Sequence, residues 1–224
     1  MDLDFITLPL QTENTLTIGI GIRKTWILIN FSSFVFLKKT SEMTDIKFGT
    51  DGWRAIIAKE FTTDNVARVS LAVANFLNEK NENPSVVIGH DCRFAGELFA
   101  ETAAKVLATK GVKVLLAKDF VSTPMVSLGV INYKSNIGVV ITASHNPPSY
   151  NGYKLKGDFG GPLLSHDITD VENRIPDYNS IDINSIKIDD LIESGMIKYI
   201  DLEDDYCKHA ENNFDLDAIK NSGL

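Results

Sequence analysis

Three short apolar runs, SVVIGHD at 85–91, VKVLLA at 112–117 and NIGVVIT at 136–142, recur along the chain with helix-length stretches between them. That alternation constrains the fold more than any other feature. The β-branched content of the runs predicts buried strands. Between and before them lie helical segments. Residues 63–80 place Val66, Val69, Val73, Phe76 and Leu77 at i, i+3, i+4, i+7 spacing, which predicts an amphipathic helix. Thr62 or Thr63 can supply its N-cap oxygen, and Asp64 suits the positive end of the dipole. A second helix is predicted from about Ala95 to Lys110, with Phe99, Ala103, Val106 and Leu107 inward and Gly111 as its stop. A shorter one is predicted over 124–133. Strand and helix in this order predict an α/β fold: a layered domain with a mixed, largely parallel sheet between helices.

The flanks differ in character. Residues 26–37, WILINFSSFVFL, are the most apolar run in the chain. They are too short to span a membrane, which takes about 20 apolar residues. A signal-peptide core fits poorly, because the run begins late, follows acidic residues and lacks a small-x-small cleavage site. A sticky β-strand is a further reading. Because Met43 is followed at once by what reads as a domain opening, residues 1–42 are expected to be a non-native or disordered extension. The domain proper is expected over 43–175. Residues 176–224 are expected to be a linker and an acidic helix at about 203–220, leading toward a further domain.

Charge narrows the partners. Thirty acidic against 22 basic residues give a net charge of -8, which argues against a nucleic-acid partner, since phosphate backbones call for a clustered basic surface. A small phosphorylated ligand held by a few converging cations remains compatible. Neither composition nor hydropathy points to a membrane partner. The two cysteines, Cys92 and Cys207, are far apart and in no metal-ligand pattern, which suggests a reducing, cytoplasmic setting.

The chemistry is expected in TASHNPPSYNGYK, residues 142–154, read as a loop delivered by the third strand. Open α/β sheets bind ligands at the carboxyl ends of their strands, so Ser144 stands where a reacting group belongs. Small and turn-forming neighbours leave backbone N–H groups free to face an anion. His145 and Lys154 can add positive charge. Residues of these types after a strand also make ordinary turns, and the residues alone leave both readings open. A hydrolase-type serine is disfavoured. There is no G-x-S-x-G elbow, and adjacent residues of an extended chain project to opposite sides, which separates His145 from Ser144. GIGIR at 19–23 lacks the third glycine of a dinucleotide fingerprint. His90 and Asp91 read as strand-end polar groups rather than metal ligands.

TASHNP followed by YNGYK closely resembles the active-site serine loop of the α-D-phosphohexomutases, the family of phosphoglucomutase and phosphomannomutase. FGTDGWRA (48–55), GHDCRFAGELFA (89–100) and GDFGGP (157–162) match further family segments in the expected order. The resemblance covers about residues 45–175. It implies that Ser144 is carried as a phosphoserine, giving its phosphoryl to a hexose phosphate and taking one back from the bisphosphate formed. It implies His145 and Lys154 as catalytic groups for proton transfer or charge stabilisation. It implies Arg54, Arg93 and Asn146 for substrate or phosphate binding, Asn146 also shaping the loop. Either arginine could instead be a structural ion-pair partner. The implied cofactor is Mg2+, with Ser144 as ligand through its phosphate and the other ligands outside this chain.

Members of the family have four domains around one cleft, and the resemblance extends only to the first of them. The aspartate-rich DGDxDR-type metal loop and the GE-x-S-G-H-type sugar loop have no counterpart in the sequence. The chain is therefore expected to act with the C-terminal domains of the same polypeptide as partners. Its expected substrates are hexose phosphate and hexose bisphosphate, of glucose or mannose rather than glucosamine, and negligible mutase activity is expected of it alone. The competing expectation is a non-catalytic sugar-phosphate-binding or interaction module built on the same domain.

Overall fold

A computed structural model describes residues 45–49 and 51–223 in full, together with the backbone of three earlier strands. Contacts divide the chain into two units, Met1–Glu42 and Met43–Leu224. In the first, strands β1 (Phe5–Ile6), β2 (Leu16–Ile22) and β3 (Thr25–Phe31) form an antiparallel sheet in that order. The apolar run therefore supplies β3 with its first six residues; its remainder, 32–37, lies outside the described residues.

The second unit follows the alternation seen in the sequence: β4 (Trp53–Ile56), α1 (Thr63–Lys80), β5 (Ser85–His90), α2 (Gly96–Thr109), β6 (Lys113–Ala117), α3 (Thr123–Asn132), β7 (Ile137–Ile141), β8 (Tyr150–Gly157), α4 (Ser165–Glu172), α5 (Ile188–Glu193), β9 (Ile197–Ile200), α6 (Leu202–Asn213) and α7 (Leu216–Asn221). Among the described residues no helix is long and apolar enough to cross a membrane. The strands make one mixed sheet in the order β4-β8-β7-β5-β6-β9. Strands β7, β5, β6 and β9 pair in parallel, whereas β8 runs antiparallel to both β7 and β4. The mixed, largely parallel sheet expected from the alternation is present.

Local signals explain the ends. Thr62 caps α1, its side chain accepting from the Asn65 amide at 3.2 Å, and Asp64 and Lys80 sit at the dipole ends that favour them. Gly111 closes α2 with φ of +84°.

Two apolar layers hold the sheet. On one face α1 and α2 bury Val66, Val73, Leu77, Phe99 and Leu107 against Val86, Ile88, Val139 and Ile141. Trp53 stacks on Phe61, and Phe61 meets Phe99 edge-on, each at 4.7 Å between centroids. The other face collects Val87, Val126, Val130, Val140, Ile200 and Leu202 under α3 and the start of α6. Each such side chain, fully buried, contributes roughly 1.5–3 kcal/mol.

Two expectations need revision. Residues 150–154, read as the second half of a loop, belong to strand β8, which runs on to Gly157. Residues 176–205, read as a surface connection, contain α5 and also β9, which adds to the sheet beside β6 and buries Ile197 and Ile200. In both places too few apolar residues alternate to reveal a strand, and the pairing comes from neighbours distant in sequence.

Candidate active site at the carboxyl end of the parallel strands

Strands β5 and β7 are adjacent and parallel, so the segments leaving them, Asp91–Arg93 and Thr142–Ser149, emerge side by side. Ser144 is exposed and adopts φ of +55°, a left-handed conformation uncommon outside glycine. Its amide donates to Thr142 Oγ1 at 3.2 Å, and the Thr142 hydroxyl donates to Asp91 Oδ2. The bent backbone brings Ser144 Oγ and His145 Nδ1 to 3.4 Å. That differs from the expectation for an extended chain, in which the two side chains would diverge. Among the described residues no carboxylate orients the His145 ring.

Arg93 lies against the same loop. Its Nη1 donates to the carbonyl oxygens of Pro147 (3.0 Å) and Tyr150 (3.1 Å), and its Nη2 to those of Ser144 (2.8 Å) and Asn146 (2.6 Å). Its Nε is 3.6 Å from Asp91 Oδ2, and its backbone amide donates to Asp91 Oδ1 at 3.0 Å.

The other cations come from β4 and β8. Register sets Arg54 opposite Gly152 and Lys154 opposite Val140, so Arg54, Lys154 and Lys156 share one sheet face. Gly152 is required there. A Cβ on it would fall 2.6 Å from the Thr142 carbonyl oxygen and 3.0 Å from Arg54 Cγ, so the arginine stem lies close beside the chain two residues before Ser144. Lys154 and Lys156, both buried, approach Asp51 at 2.6 and 3.4 Å. Burial alone would raise the Asp51 carboxyl. The hydrogen bond from Lys154 and the charge of Lys156 outweigh it, and the group is held below its ordinary value of 3.8. Arg54 Nη2 stands 4.0 Å from the same carboxylate. Three cations thus converge on one anion.

Among the described residues Arg54 Nε and Asn146 Oδ1 are buried without a hydrogen-bond partner. Of the residues expected at the site, Ser144, His145, Asn146 and Arg93 form one cluster, and Lys154 and Arg54 form a second strip on β8 and β4. GDFGGP, by contrast, turns the chain at the far end of β8. There the Phe159 ring fills the space beside Gly157 and Gly161. Asp51, Lys156, Thr142 and Asp91 were not singled out as site residues from sequence. Asp51 could have been found only through its place between glycines in the FGTDGWRA segment.

Among the described residues no group of three or more His, Cys, Asp or Glu side chains could hold a metal ion. The nearest carboxylates, Asp51 and Asp91, are engaged by lysines and by Arg93 with Thr142. The described side chains do not make a magnesium centre by themselves.

The fold and site together define an α/β/α domain that presents a strained, exposed serine where parallel strands end. Residues 45–182 match the family described as "Phosphoglucomutase/phosphomannomutase, alpha/beta/alpha domain I". The phosphoglucomutase of Staphylococcus saprophyticus is 34% identical over 164 residues, 70% of this chain and 29% of that protein. That of Staphylococcus haemolyticus is 35% identical over 156 residues, 68% and 28% of the respective chains. A solved structure from Thermus thermophilus, described as a phosphomannomutase, is 35% identical with a TM-score of 0.70, covering 79% of this chain and 38% of that one. The Paramecium phosphoglucomutase parafusin shares the fold, with a TM-score of 0.63 at 16% identity over 78% of this chain and 36% of its own. The chain belongs to the phosphoglucomutase/phosphomannomutase family, of which it carries domain I. It spans less than a third of the length of these Staphylococcus relatives.

Proposed function

We propose that this chain is the phosphoryl-carrying part of a cytoplasmic enzyme that interconverts hexose 1-phosphate and hexose 6-phosphate, of glucose or mannose. The observation that carries the reading is Ser144, exposed and strained at the end of β7. In one half-reaction the Oγ–P bond of phosphoserine breaks as a sugar hydroxyl bonds to phosphorus. The sugar hydroxyl proton passes to the departing serine oxygen in that step, and it leaves Ser144 Oγ for the freed sugar oxygen when the serine is rephosphorylated. In the second half-reaction the other phosphate of the bisphosphate returns to Ser144. His145, 3.4 Å from Oγ, and Lys154 are the candidates for holding that proton. The orphaned Arg54 Nε and Asn146 Oδ1 suit contacts to phosphate and sugar hydroxyl. A magnesium ion, when bound, supplies charge neutralisation on the phosphoryl oxygens. This chain would touch it only through the phosphate on Ser144, with the other ligands belonging to C-terminal domains of the same polypeptide.

Incubation with a hexose 1,6-bisphosphate, followed by intact-mass measurement and peptide mapping, tests this. A gain of about 80 Da on Ser144, absent from S144A, is expected. An unmodified wild-type chain would instead support a non-catalytic binding module. Turnover by this chain alone is expected to be negligible, because positioning groups and metal ligands are incomplete. A coupled assay with near-normal rates would overturn that part.

Residues 1–42 remain, on the same reading, an extension upstream of the domain. Mass spectrometry of the naturally made N-terminus decides it, and peptides recovered from before Met43 would end the idea.

A further inference from the structure

Arg93 spends its four Nη–H donors on main-chain carbonyls of the serine loop, and its Nε faces a carboxylate at ion-pair distance. A guanidinium carries five N–H groups in a fixed fork. Here four of them meet the carbonyls of Ser144, Asn146, Pro147 and Tyr150 at 2.6–3.1 Å, and the fifth faces Asp91. Four inward-turned carbonyls within one short loop repel one another and need a shared cation to stay together. Asp91 ties the other side, because it accepts from the Thr142 hydroxyl, which in turn accepts from the Ser144 amide. Both peptide groups flanking the Ser144 Cα, the N–H through Thr142 and the C=O through Arg93, are therefore fixed by one segment, 91–93, after β5.

We infer that Arg93 is a positioning residue: it holds the serine loop in the left-handed shape that presents the hydroxyl, and it does not take the phosphate itself. The inference deepens the phosphoryl-carrier reading and rests on it for its functional consequence. A lysine at 93 would supply charge from a point and could not serve diverging carbonyls. A residue that merely attracts phosphate would be largely replaceable by lysine.

The test compares full-length wild type with R93K by amide hydrogen exchange and by the rate of Ser144 phosphorylation from a hexose 1,6-bisphosphate. Exchange over 143–151 is expected to accelerate about tenfold or more in R93K while strands β5 and β7 keep their protection. Phosphorylation is expected to slow by at least about tenfold, and added guanidinium is expected to restore R93A but not R93K. Unchanged loop exchange in R93K, or a phosphorylation rate near wild type, would overturn the inference. If wild type is never phosphorylated, the carrier reading fails, and the exchange data still decide the clamp. Should R93K lose its core protection, wild type alone answers through NMR of the Arg93 side chain. Separate, slowly rotating Nη–H signals, unmoved by inorganic phosphate, support the clamp; averaged or phosphate-shifted signals refute it.

Discussion

Lys154 and Asp51, 103 positions apart, meet at 2.6 Å in a pair whose lysine is buried. The contact joins β8 to the turn before β4, and Lys156 leans on the same carboxylate at 3.4 Å. Removing the carboxylate leaves two buried ammonium groups without a counter-charge. D51N is therefore expected to lower stability by roughly 1–3 kcal/mol, less than for a fully buried pair because Asp51 is a third exposed. Since the folded state holds this carboxyl below its ordinary value, its contribution is fully present above the unfolded value near pH 4. It is lost as pH falls through the lower folded value. Urea unfolding of wild type and D51N from pH 7 to pH 3 should show curves that converge at the acid end. Parallel curves would sink the assignment.

Gly152 and Gly111 separate two reasons for glycine. At Gly152 an added Cβ would meet backbone oxygens of Thr142 and Trp53 at 2.6 and 2.9 Å. Neither can move without breaking the β4-β8-β7 register, so G152A is expected to destabilise by roughly 2–3 kcal/mol and to disturb Arg54. At Gly111 nothing lies within 4 Å and only φ of +84° is at stake, so G111A is expected to lose about 1 kcal/mol. Equal losses in thermal unfolding would show that space at Gly152 does not matter.

The backbone at Ser144 predicts a split between stability and chemistry. Both S144A and S144G remove the acceptor oxygen, and neither is expected to gain phosphate. Only glycine relieves φ of +55°, so S144G should be roughly 1 kcal/mol more stable than S144A. Denaturant midpoints of the two variants check this. A more stable S144A would mean that the loop does not impose the strained shape.

The alternation of apolar runs and helical periodicity made β5, α1, α2, β6 and β7 legible within one or two residues of their ends, because each carries its own period. Strand β8 was hidden. YNGYKLKG places buried lysines where a strand pattern would call for apolar residues, and only the distant Asp51 makes that burial tolerable. IKYI in β9 is too short to show a period. Ser144 could be read from its loop. What Arg93 does there could not, since its partners are main-chain carbonyls, and those leave no mark in the choice of side chains.

The attachment of α6 can be dissected through α3. Leu202, 2% exposed, presses into the notch at Gly129, where a Cβ would lie 2.6 Å from its Cδ2. Nearby, Tyr133 Oη donates to Asp205 at 2.8 Å, and its phenol is pushed up to about 12 by burial first and by Asp205 second. The two contacts differ in kind. Leu202 closes an apolar layer with Val126, Val130 and Ile200, and L202A is expected to lose roughly 2–5 kcal/mol through lost burial and a residual cavity. Tyr133 is over a third exposed and its bond competes with water, so Y133F is expected to lose at most about 1 kcal/mol. Guanidinium unfolding of both variants measures the ratio. If Y133F is the more damaging, α6 is held at its polar rim and the apolar layer beneath it is incidental.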